Sequence, residues 1–91
     1  MKLDELYKVI QNRKENMPEK SYVASLFREG NDRIIQKVGE EATEVVIAAK
    51  NEEKKRIIEE SADLIFHLLV LLAASDIHYS EIEEELEKRK Q

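Results

Sequence analysis

An all-α fold of four to five helices is predicted for this chain, and three observations carry the prediction. Of its 91 residues only two are glycine and one is proline, while 38% are charged, with leucine, isoleucine, glutamate and lysine prominent; that is a helix-rich composition. Apolar residues recur at helical spacing along most of the chain. From Leu64 to Ala74 the sequence is apolar nearly all round, and a helix of that kind is buried on every side. One small chain can hardly enclose it alone. The helices are therefore expected to form an intersubunit bundle, in a homodimer or larger even assembly that associates through this segment.

The elements follow in order. Asp4 to about Lys14 forms a first helix, with Leu3, Leu6, Tyr7 and Ile10 on one face. Arg13 and Lys14 stand in its last turn, where cations complement the helix dipole; contact with a phosphate is their alternative role. Pro18 breaks the helix. Ser21 can cap a short helix from Tyr22 to Glu29 that Gly30 ends, and both Ser21 and Tyr22 are also candidates for ligand contact. Asn31 or Asp32 caps a helix running to about Lys50. Gly39 inside it costs ~1 kcal/mol relative to alanine, which suggests close approach of a neighbouring helix or of a ligand. Asn51-Glu52-Glu53 is a polar turn, and the next helix runs from about Glu53 to Ser75. Ser80-Glu81-Ile82-Glu83 reads as a capping box that opens a last helix ending in Lys88-Arg89-Lys90. Residues 1–91 are expected to be one domain.

Composition excludes several chemistries. Without cysteine there is no disulfide, thiol nucleophile or cysteine-ligated zinc. A formal charge of −5 argues against general affinity for nucleic acid. The longest apolar run is too short to span a bilayer, and the amino terminus lacks the apolar segment of a signal peptide. A soluble, cytoplasmic protein is expected.

The chemistry-bearing residues lie between Arg33 and His67. At ~100° per residue, Arg33, Lys37, Glu41 and Glu44 share one stripe, with Glu40 at its edge. Arg56, Glu60, Asp63 and His67 share a stripe on the next helix. Each stripe borders an apolar face: Ile34, Ile35, Val38, Ala42, Val45, Val46 and Ala49 on one helix, Ile57, Ile58, Leu64, Ile65, Leu68 and Leu72 on the other. Antiparallel packing of those faces brings four carboxylates to the rim of the contact. Crowded carboxylates repel unless protons or a cation neutralise them, and Mg²⁺ is the natural hard cation for oxygen ligands. Ion pairing with Arg56, Lys37 or Arg33 is the alternative use of these acids. His67 reads first as a hydrogen-bonded core histidine.

The pattern Glu40-Glu41-x-x-Glu44, then Glu60-x-x-Asp63, resembles the metal motif of the MazG-like all-α nucleoside triphosphate pyrophosphohydrolases. Lys37-Val38-Gly39 before it, Ser21-Tyr22 upstream and His67 downstream narrow the resemblance to the phosphoribosyl-ATP pyrophosphohydrolase family of histidine biosynthesis. Nearly the whole chain takes part. Lys20 stands where the family pattern has glycine, and Phe66 where tyrosine is usual. The resemblance implies hydrolysis of phosphoribosyl-ATP to phosphoribosyl-AMP and pyrophosphate. Glu41, Glu44, Glu60 and Asp63 would hold Mg²⁺, with Mn²⁺ a possible substitute, and Glu40 or another acid would activate water. Arg13, Lys14, Ser21, Tyr22, Arg33, Lys37 and His67 would contact the substrate. A housecleaning nucleotide pyrophosphohydrolase and a non-enzymatic helical oligomerisation module are the rival readings.

Overall fold

The computed structural model describes residues 1–90, which form five helices with no strand among them. Helix α1 spans Leu3–Asn16 and ends at Met17, whose left-handed backbone (φ 48°) turns its N–H onto the Arg13 carbonyl at 2.9 Å. Pro18 then prevents continuation. Ser21 caps α2 (Tyr22–Glu29) as expected, its Oγ accepting from the Ala24 N–H at 3.1 Å. Gly30 has φ 99° and ψ 178°, a region essentially closed to residues with a Cβ. This glycine ends α2 and starts α3 (Asn31–Lys50) at once: its N–H reaches the Leu26 carbonyl, and its own carbonyl accepts from Ile34. Asn31 and Asp32 are consequently inside the first turn and cap nothing, contrary to expectation.

The α3–α4 connection is a tight one. Glu52 adopts the left-handed conformation (φ 57°), its N–H donates to Ala49, and the Glu53 N–H donates back to Ala48. This double bond pattern is the Schellman closure of a helix end. Helix α4 (Lys54–Ala74) closes the same way: Asp76 is left-handed, its N–H bonded to the Ala73 carbonyl and that of Ile77 to Leu72. Helix α5 spans Tyr79–Lys88. Its cap is His78, two residues earlier than the Ser80 box predicted from sequence. The His78 Nδ1 accepts from the Ser80 N–H at 3.2 Å, and the Glu81 carboxylate accepts from the His78 N–H at 3.0 Å. An imidazole nitrogen thus does the work assigned to a serine hydroxyl.

The long hairpin of α3 and α4 is the frame, with α1 laid on α4 and α2 bridging α1 and α3. Tyr7, Ile10, Leu26, Ile34, Leu69, Val70, Leu72 and Ala73 make the core. Ile10, Leu26 and Val70 are wholly buried, each contributing ~1.5–3 kcal/mol on removal from water. Two polar ties hold α1 to the end of α4. The Tyr7 hydroxyl donates to the Ile77 carbonyl at 2.7 Å, and the Lys14 ammonium donates to the Ala73 carbonyl at 2.7 Å and to Asp76 at 2.9 Å.

The apolar faces expected to meet in the hairpin are only partly covered. Ile34 and Leu72 are buried, but Ile35, Val46, Ile58, Ile65 and Leu68 remain exposed. Ile65 and Leu68 join Leu3, Ile82 and Leu86 along an open apolar groove of about 320 Å³. Helix α5 buries no residue fully. Nothing lies within 4 Å of where a side chain on Gly39 would begin, so no neighbouring helix of this chain accounts for that glycine.

Candidate metal centre

Antiparallel packing of α3 on α4 sets Glu41 opposite Glu60 and Asp63. One carboxylate oxygen from each of the three lies within 4.8 Å of the others. Glu41 and Glu60 are largely covered and Asp63 is open to solvent. The fourth acid of the motif, Glu44, stands beside this group and is held by Arg56. That guanidinium spans the two helices, at 3.1 Å from Glu60 and 3.7 Å from Glu44.

Cations are scarce for the charge present. Lys37 lies 3.3 Å from Glu41 and 3.4 Å from Glu40, and Arg56 serves Glu44 and Glu60. Among the described residues no cationic group lies within ion-pair distance of Asp63. Five carboxylates therefore share two cations. The ion pairs anticipated as the alternative use of these acids do form with Lys37 and Arg56, but they leave the cluster strongly negative. Arg33 turns away to Glu29, at 3.9 Å.

The titration behaviour follows from this crowding. Partial burial pushes the Glu60 carboxyl above the ordinary carboxylate value; Arg56 pulls it back, and the charges of Asp63, Glu44 and Glu41 push it up again. Glu40 moves the other way. The Gln36 amide donates to it at 2.8 Å and, against some desolvation, Lys37 and Arg33 help hold it below the usual value. Desolvation works against the Lys37 ammonium, yet its bond to Glu41, the nearby Tyr22 and Glu40 together raise its pKa. A site with one reluctantly ionised acid, one firmly ionised acid and surplus negative charge is suited to a hard divalent cation.

The remaining candidates divide into two groups. Tyr22 reaches from α2 to α4, its hydroxyl 3.1 Å from His67 Nε2 and its ring stacked on Phe66. His67 is 6% exposed, and its Nδ1 lies 2.8 Å from the Asp63 carbonyl. It is the hydrogen-bonded core histidine that its apolar setting suggested. Lys14 is occupied at the opposite end of α4, with Ala73 and Asp76, and Arg13 bonds its neighbour Asn12 at 2.6 Å. Ser21 spends a lone pair on its cap and keeps its hydroxyl hydrogen. Two contacts escaped the sequence reading. The Gln36 bond to Glu40 was available from their spacing of four residues, whereas the Tyr22–His67 bond joins residues 45 apart and left no local signal.

Comparison with known proteins adds an independent line. A phosphoribosyl-ATP pyrophosphatase of Leptospira biflexa is 56% identical over 98% of this chain and 94% of its own. One from Methanocella arvoryzae is 53% identical over 97% and 95%, and one from Trichlorobacter lovleyi is 55% identical over 96% and 81%. The sequence profile of the family described as phosphoribosyl-ATP pyrophosphohydrolase matches residues 3–90, so the helical hairpin and its acidic rim have a family: the chain belongs to the phosphoribosyl-ATP pyrophosphohydrolases.

Proposed function

We propose that the chain hydrolyses phosphoribosyl-ATP to phosphoribosyl-AMP and pyrophosphate, the second step of histidine biosynthesis, in the cytoplasm and with Mg²⁺ bound at the α3–α4 rim. The observation that carries this reading is the group of Glu41, Glu60 and Asp63 oxygens within 4.8 Å in a chain of this family. Those three acids, with Glu44 swinging in from Arg56, would hold the ion. When bound, Mg²⁺ draws charge from the triphosphate oxygens and lowers the cost of bringing them to an anionic surface.

The protein's own groups have separate tasks. Glu40, kept ionised by Gln36 and Lys37, accepts a hydrogen of the attacking water and orients its lone pair toward the α phosphorus. Attack there breaks the bond to the bridging oxygen between the α and β phosphates, and pyrophosphate leaves. Lys37 neutralises phosphate oxygens at the rim, and Arg33 joins it by leaving its exposed pairing with Glu29. Mn²⁺ could replace Mg²⁺, having the same charge and preference for oxygen. A second copy of the chain would cover the exposed α4 and α5 faces.

The test compares initial rates on phosphoribosyl-ATP, ATP, dCTP and dUTP at equal Mg²⁺, scoring pyrophosphate against orthophosphate. Phosphoribosyl-ATP should be strongly preferred. Comparable efficiency on the plain nucleotides would move the protein to a housecleaning role, and orthophosphate as product would remove the mechanism.

A further inference from the structure

Arg56 has no task in the proposed reaction, yet among the described residues its pair with Glu44 is the only ion pair that joins α3 to α4. Standing four residues before Glu60, it shares that acid's face of the helix. Its Nη2 donates to Glu60 Oε1 at 3.1 Å and lies 3.7 Å from Glu44 Oε2, so a single nitrogen serves both carboxylates. Of the four acids proposed to hold the cation, Glu44 alone lies outside the group of oxygens within 4.8 Å of one another. The acid set apart is thus one that Arg56 engages. The guanidinium also has somewhere else to go. Its Nε is 3.8 Å from Glu53, an N-cap residue whose side chain caps nothing. Lys37 is placed differently. It pairs with Glu41 but also with Glu40, which is not among the proposed ligands, so its ammonium keeps a partner when a cation takes Glu41. Glu44 and Glu60 are both proposed ligands. A guanidinium and a dication drawn to the same two carboxylates stand close together, and like charges at that range repel.

We propose that Arg56 competes with the divalent cation for Glu44 and Glu60, and that Glu53 is the seat to which its guanidinium withdraws when the cation wins. This rests on the proposed function for the existence of the cation. It deepens that reading by making the loading of the rim an exchange of one cation for another, with Arg56 as the positioning residue that sets how tightly the ion is held. Arg56 is half exposed, and exposed ion pairs are weak, so each of its two contacts lowers cation affinity by no more than about fivefold.

Mn²⁺ binding to the full chain tests it, followed by electron paramagnetic resonance of the free ion with no nucleotide present. Arg56→Gln should bind Mn²⁺ about fivefold more tightly than the wild type. Lys55→Gln removes the same charge from the neighbouring exposed position and should leave the affinity unchanged; tightening as large as that of Arg56→Gln would reduce the effect to net charge and overturn the competition. Glu53→Gln, which takes away the alternative seat, should weaken binding about twofold in the wild-type background. In the Arg56→Gln background the same change should do nothing. An equal effect in both backgrounds would be the field of a nearby charge, and withdrawal to Glu53 would fall. The side chains of Arg56 and Glu53 are both about half exposed, so neither variant opens the core. Mn²⁺ affinity that is the same in the wild type and Arg56→Gln overturns the competition and leaves the proposed function standing. If neither protein shows saturable binding, the competition falls as well, and the proposed function is then judged by turnover of phosphoribosyl-ATP alone.

Discussion

Lys14 offers the sharpest separation of a structural from a functional cation. The resemblance enrols it among the substrate contacts, but its ammonium donates to the Ala73 carbonyl at 2.7 Å and to Asp76 at 2.9 Å. Lys14→Met keeps the aliphatic stem and deletes both bonds. Asp76 is 88% exposed in its side chain, so that ion pair contributes only ~0–1 kcal/mol. The bond to Ala73 is charge-assisted, and such bonds are worth ~1.5–3 kcal/mol when shielded. Here the donor is about one-third exposed, and the Ala73 carbonyl keeps the Asp76 N–H as a partner, so no acceptor is orphaned. A total near ~1.5 kcal/mol follows, which lowers the melting temperature by ~6–12 °C for a domain of this size. Calorimetry at matched protein concentration reads the shift. Asp76→Asn, removing only the exposed pair, should cost within ~0.5 kcal/mol. KM for phosphoribosyl-ATP should be unchanged in both. An unaltered melting temperature with a raised KM in Lys14→Met would refute the structural assignment and return Lys14 to the phosphate site.

Other outcomes are expected. Asp63→Asn removes one charge from a self-repelling cluster; the metal-free protein should melt at the same temperature or higher, while Mg²⁺-dependent turnover and Mg²⁺-induced stabilisation disappear in parallel melts. Tyr7 has its phenol raised above 10.0, chiefly by desolvation, with Gln11 and Lys14 opposing and Asp76 and Glu81 assisting. The folded state thus binds that proton more tightly, and the stability it contributes, complete below pH 10, is lost as pH rises through the folded value; Tyr7→Phe should flatten that alkaline decline in chemical denaturation. At neutral pH the same variant leaves the Ile77 carbonyl short of a donor and should cost ~1–3 kcal/mol. Leu68→Glu, placed in the apolar groove, should shift sedimentation at micromolar protein toward monomer; a wild type that already sediments as a monomer would remove the reason for the exposed groove.

The helices were legible because their signals are local: the Ser21 cap, Pro18, the Gly30 stop and the apolar run of α4 lie within a few residues of what they determine. The facing of Glu41 with Glu60 and Asp63 was also legible, since two helical stripes joined by a short turn have few ways to meet. Arg56 was harder to place. Its position on the stripe of Glu60 was visible, but its reach across to Glu44 depends on rotamers of a long side chain and on which charge lies nearer. The α5 cap misled because serine is the commoner capping residue, and the backbone entered the helix two residues earlier, where His78 had a free nitrogen. The exposed Ile35, Val46 and Ile58 show the limit of periodicity, which finds an apolar face without saying what covers it.

The turn at Glu52 sets more than the direction of the chain. Counting outward from it, Glu41 and Asp63 are each eleven residues away, and Glu44 and Glu60 are each eight. In an antiparallel hairpin, equal counts from the bend come face to face, so the length of this turn is the gauge by which the four acids are matched. One added residue would advance α4 by ~1.5 Å and rotate it by ~100°, swinging Glu60 and Asp63 out of reach of Glu41 while leaving every helix former and every acid in place. The left-handed Glu52, with its own bond to Ala49 and that of Glu53 to Ala48, thus calibrates a candidate cation site that begins ~12 Å away along the helices. Spacing between the two halves of the acidic motif is, on this view, as much a ligand specification as the acids themselves.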